Sequence, residues 1–104
     1  MAQVKATFYL PVRDNDGRDL TSEIDRVEDR LFDSFGTWTR VGLFNGAWRM
    51  KTGERKLDTS VVYMVIIDDS DLNVLREIIH EYKANTSQEV ILLELVHDVD
   101  VELL

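Results

Sequence analysis

The run Val61-Val62-Tyr63-Met64-Val65-Ile66-Ile67 decides the fold. Every residue in it is apolar or aromatic, so the run presents an apolar side chain to both faces. A strand of that kind belongs in the middle of a sheet with both faces covered. The spacing extends this strand over 57–67. Upstream, 37–50 is β-rich with aromatic and glycine punctuation, and 51–56, with Gly53, reads as the connection of a hairpin. Downstream, Asp68-Asp69-Ser70-Asp71 is a cluster of capping residues. Leu72, Leu75, Ile78, Ile79 and Tyr82 follow it as one helical stripe. Asn85 is placed to end that helix in the left-handed conformation. A last strand is expected over 89–96. Residues 97–104 continue its alternation, with Val99, Val101 and Leu103 set against Asp98, Asp100 and Glu102.

The N-terminal third follows the same logic. Val4, Ala6, Phe8, Leu10 and Val12 alternate with Lys5, Thr7, Tyr9 and Pro11, a period of two that makes a strand. Pro11 has no ladder donor and marks its end. Arg13-Asp14-Asn15-Asp16-Gly17 is a polar turn. Thr21 or Ser22 offers a hydroxyl as N-cap. Ile24, Val27, Leu31 and Phe35 then form the apolar face of a helix that Gly36 closes. The order is β-α-β-β-α-β in one domain, 1–104. Two right-handed crossovers on an antiparallel sheet make this a ferredoxin-like α+β fold with strands one and three central. Both helices then cover one sheet face. Val62, Met64 and Ile66, or the opposite set, lie on the other, and an open apolar face of that size calls for cover. A second copy of the chain, giving a homodimer, is the simplest cover.

Twenty acidic and 12 basic side chains give the 104 residues a net charge of −8. That balance argues against nucleic acid and anionic membranes as partners. The densest basic stretch, 49–56, is broken by Met50, Thr52, Gly53 and Glu54 and reads as a solvated hairpin. No run approaches the roughly 18 apolar residues of a membrane span. Cysteine is absent, which removes disulfides, zinc thiolates and a Cys nucleophile and suits the cytoplasm.

Chemical motifs fail on named residues. Asp14 and Asp16 fit the third and fifth positions of a calcium loop, with Glu23 at the twelfth. Val12 occupies the first position and offers no oxygen. His80-Glu81 would begin a zincin motif, but Ala84 stands where the second His belongs. His80 and His97 are the only histidines, and no metal or cofactor is expected. Ser60, Ser70 and Ser87 have turn, cap or strand explanations. More distinctive are Phe35-Gly36-Thr37-Trp38-Thr39 and Gly46-Ala47-Trp48, which put three large aromatics beside glycines. A Trp suits either a core cap or a pocket rim.

The series Leu10-Pro11-Val12-Arg13-Asp14-Asn15-Asp16-Gly17, Phe35-Gly36-x-Trp38-Thr39 and Gly46-x-Trp48 resembles a family of small bacterial proteins of uncharacterised activity. Those share a Pro-x-x-Asp-Asn-x-Gly loop, a Phe-Gly-Gly-aromatic-Thr turn and a Gly-x-Trp element. The chain departs from that pattern at Thr37, where the family has a second glycine. The resemblance implies a recurring domain and carries no reaction.

Three functions follow. The first is a non-catalytic oligomeric binding or interaction module. The second is a small-molecule enzyme or ligand binder of the dimeric α/β-barrel type. The third is a phage- or plasmid-linked regulatory protein using its acidic surface on a basic partner. A ligand or partner pocket would draw on Tyr9, Arg13, Asp14, Asn15, Trp38, Trp48 and Tyr63. In it Arg13 would hold an anionic group while the aromatics wall the cavity.

Overall fold

A computed structural model of the chain describes residues 2–104. β1 (Gln3–Pro11) leads to α1 (Thr21–Phe35), β2 (Thr39–Arg49), β3 (Arg55–Asp68), α2 (Leu72–Ala84) and β4 (Leu93–His97). A single 3-10 turn over Asp69–Asp71 introduces α2. The sheet order is β2-β3-β1-β4, with every neighbouring pair antiparallel. This is the ferredoxin-like α+β fold, and the strand that decided it sits centrally, between β2 and β1.

The alternation along β1 and β3 sorts the two faces. Val4, Ala6, Phe8 and Leu10 pair with Ile67, Val65, Tyr63 and Val61, and all eight are buried under the helices. Ile24, Val27 and Leu31 of α1 and Leu72, Leu75, Ile78, Ile79 and Tyr82 of α2 complete the core. These are the stripes the helical spacing picked out. Val62, Met64 and Ile66 lie on the opposite face with Thr7 and Tyr9. Phe44 joins them from β2, its ring edge-on to Tyr9 at 6.4 Å.

β2 and β3 run on past the end of β1. Pro11 is opposite Ser60, so the hairpin formed by 43–49 and 55–59 projects with no third strand over most of its length. The molecule accordingly measures 44 × 24 × 23 Å. Leu43 and Leu57 on this arm are 69% and 73% exposed. No described helix is long and apolar enough to cross a membrane.

Four local expectations are corrected. The first helical residue is Thr21 and the N-cap is Leu20, so neither Thr21 nor Ser22 caps. Asp19 does that work, its Oδ1 accepting from the Thr21 backbone N–H at 2.7 Å. Gly36 is left-handed at φ 74, as expected of a C-cap, but Asn85 is not. Its φ is −97, and it closes α2 by donating its backbone and side-chain N–H groups to the Glu81 carbonyl. The last strand is Leu93–His97, because 88–92 is drawn off into loop contacts described below. The alternation over 97–104 does not continue it. Asp98, at φ 55, turns the chain out of the sheet.

Candidate functional site

Three connections meet at one end of the sheet: the loop after β1, the β2–β3 turn and the loop after α2. Asp14 joins two of them. Its carboxylate is 4% exposed. It accepts from the Asn15 backbone N–H at 2.9 Å and the Ser87 backbone N–H at 3.0 and 2.9 Å. It also accepts from Ser87 Oγ at 2.6 Å, Gln88 Nε2 at 3.1 Å and Arg18 Nη2 at 3.2 Å. Burial by itself would push this carboxyl up. The donations from Ser87, Asn15 and Gln88 outweigh it and hold the group down at about 2. Arg18 also reaches Glu23 and the Asn85 carbonyl, each at 3.0 Å. Further ties run from Asn15 Nδ2 to the Ser87 carbonyl and from Lys56 Nζ to the Asn15 carbonyl. The Lys51 backbone N–H donates to Glu89 and so brings in the hairpin turn.

This network braces a groove of about 210 Å³ on the uncovered sheet face. Tyr9 and Pro11 form its floor from β1, and Asp58 and Ser60 stand beside them from β3. Trp48 and Met50 wall the hairpin side. Asn15, Gln88 and Glu89 close the loop end. Among the described residues no Lys or Arg lines it. The groove therefore offers aromatic and thioether surface, two carboxylates, two amides and two hydroxyls.

The residues singled out in the sequence divide into three groups. Tyr9, Asn15 and Trp48 line the groove, and Asp14 lies behind it as its brace. Arg13 instead donates to the Gly17 carbonyl at 3.3 Å and borders a separate cleft with Lys56 and Thr59. Trp38 and Tyr63 belong to the helix side. Their rings meet edge-on at 5.8 Å, and the Arg40 guanidinium lies 5.5 Å from the Trp38 ring centre. The Tyr63 hydroxyl donates to Glu28, which also pairs with Arg40. Burial and then Glu28 push that phenol up to about 12. Trp38 and Tyr63 are thus core pieces, and the two tryptophans serve different ends of the molecule. Asp58, Gln88 and Glu89 escaped the sequence reading. The only trace of the latter two is the polar run Thr86-Ser87-Gln88-Glu89 after α2. No group of three or more His, Cys, Asp or Glu residues placed to hold a metal occurs among the described residues.

No protein-family model matches the chain, and no curated protein matches it in sequence. Solved structures do match in fold. A phage SAM lyase in complex with S-methyl-5'-thioadenosine is similar with TM-score 0.68 at 16% identity, over 92% of this chain and 81% of that one. CutA1 from Oryza sativa is similar with TM-score 0.66 at 10% identity, over 98% and 84%. The periplasmic divalent cation tolerance protein CutA from Archaeoglobus fulgidus is similar with TM-score 0.61 at 14% identity, over 99% and 88%. At these identities the likeness is one of fold.

Proposed function

We propose that this chain is a small-molecule-binding protein that works as a homo-oligomer. Its groove takes a flat, positively charged or neutral ligand, with a thionucleoside or its sulfonium parent as the class. The observation that carries this reading is the groove's lining. Trp48 and Tyr9 supply aromatic faces, Asp58 and Glu89 supply negative charge, and no Lys or Arg is among the described lining residues, Lys56 beside them being turned to the Asn15 carbonyl. Concave sites of this make-up, mostly apolar with a few convergent polar groups, are where small ligands bind. Aromatic faces attract cations as well as stacking on flat rings. An anionic nucleotide would meet two carboxylates instead. The fold's likeness to a phage SAM lyase that holds S-methyl-5'-thioadenosine supports the choice of class.

Calorimetric titration tests it, with S-adenosylmethionine and S-methyl-5'-thioadenosine set against adenosine monophosphate. Binding of the first two and exclusion of the third is expected. Trp48→Ala should weaken binding by roughly tenfold, the loss of about 1.4 kcal/mol of contact. Flat titrations with all three, or equal affinity for the monophosphate, overturn the reading. Incubation with S-adenosylmethionine separates binding from turnover. Release of S-methyl-5'-thioadenosine marks an enzyme, and recovery of the intact compound marks a binding module.

A further inference from the structure

The sheet order leaves the outer edge of β2 open among the described strands, over the eleven residues Thr39–Arg49. A long edge with unpaired N–H and C=O groups is a template for another strand, and natural proteins cover or blunt such edges. This one carries exposed Val41 and Leu43. Residues 98–104 have the complementary defect. Their strict alternation, Asp98-Val99-Asp100-Val101-Glu102-Leu103, is that of a half-buried strand. Yet they form no ladder with another described residue, and one backbone bond, from the Val99 N–H to the Gln3 carbonyl at 3.2 Å, holds them. The segment lies across its own free sheet face near Gln3, Met64, Ile66 and Thr39, over a gap of about 320 Å³ that it does not fill. Leu103 remains 97% exposed.

Charge selects the match. The hairpin 39–57 holds five of the chain's 12 basic residues (Arg40, Arg49, Lys51, Arg55 and Lys56) and one of its 20 acidic ones, Glu54. It is therefore +4 in a chain whose remainder is −12. The segment 98–104 carries Asp98, Asp100 and Glu102 and no base. Reach selects the copy. The segment leaves from β4, at the opposite edge of the sheet. Passing four strand spacings of about 4.8 Å takes ~19 Å, and seven extended residues span only ~23 Å. Almost nothing remains to pair with the chain's own β2.

We propose that residues 98–104 of one copy add as a strand to the open β2 edge of a second copy. The contact joins two different surfaces, so it repeats from copy to copy and fills every edge where the rotation between copies closes a ring. It places the partner's segment alongside the hairpin that carries Trp48, next to the groove. It stands independently of which ligand the groove takes.

The absence of cysteine makes the test direct. Val41, Leu43 or Asn45 is replaced one at a time by Cys in one preparation, and Val99, Val101 or Leu103 likewise in another. Mixed pairs are oxidised mildly. A disulfide-linked pair of chains is expected for at least one combination, and none for any of them with a Cys at exposed Glu77 on α2. In parallel, sedimentation equilibrium compares the parent with V101D/L103D. The parent should assemble at tens of micromolar, and the variant should dissociate at least tenfold more readily with an unchanged circular dichroism spectrum. Raising salt should weaken the parent's assembly. A monomeric parent, a variant that assembles like the parent, or a V101C/M64C chain that closes on itself while every mixed pair fails would each overturn the proposal.

Discussion

Asp14 shows how a residue can be read correctly in its local role and still be misjudged. Its neighbours mark a polar turn, and a turn is what forms, with the Gly17 N–H donating to the Asp14 carbonyl. The side chain's partners, Ser87 and Gln88, lie more than 70 positions away, and no spacing rule reaches them. Asp14→Ala strips two loops of their common acceptor. It should lower unfolding free energy by about 2–3 kcal/mol, read by urea denaturation, because several donors are left unsatisfied at once. The pH dependence has a definite sign. A carboxyl held at about 2 when folded stabilises the fold above its ordinary value near 4, and that stability is lost as pH falls towards 2. Asp14→Asn should flatten the acid limb of a stability profile across that window. Tyr63→Phe is a milder case. It removes the donation to Glu28 but leaves Glu28 paired with Arg40, so a loss of about 1 kcal/mol is expected in the same assay. Trp38 and Trp48 teach the opposite lesson. Ten positions apart in sequence, they read as one cluster. Along an extended strand ten residues cover ~33 Å, so sequence proximity there means distance in space.

Among the elements, β1, β3 and both helices were legible because burial imposes periods of two and 3.6 on their residues. β4 was less so. Residues 89–92 have the composition of a strand, but Glu89 is bound to the Lys51 backbone and Leu92 gives β1 a single carbonyl contact, from the Tyr9 N–H. Loop contacts overrode propensity, as they do for short edge strands. Two predictions belong at this scale. Val65, 1% exposed and opposite Ala6, lies in the middle of the sheet under the helices. Val65→Asp buries an unpaired charge, and its cost of several kcal/mol is comparable to a whole domain's stability of about 5–15 kcal/mol. Loss of the cooperative thermal transition is the expected outcome. The projecting hairpin is the weakest paired region, since two strands alone are marginal in water. Amides of 45–48 and 56–58 should exchange with deuterium well before those of 61–66, measured residue by residue.

For the whole molecule, composition hides how the charge is arranged. A net charge of −8 conceals a hairpin of opposite sign, and the sum alone gives no hint that the two signs are segregated. The groove was invisible for a related reason. It is made where three connections converge on the strands, with Asn15 from the first, Met50 from the second and Gln88, Glu89, Val90 and Leu92 from the third, each with an ordinary local explanation. The strand order has a further consequence, for the chain as it is made. β1 emerges from the ribosome before the other strands of this sheet, yet it ends up between β3 and β4, with Val4 opposite both Ile67 and His97. A nascent chain can form α1 and the β2–β3 hairpin early, but one flank of its first strand stays unpaired until residue 97 is clear of the exit tunnel. Non-local pairing of that kind slows folding. The earliest strand of this sheet is therefore among the last to be enclosed.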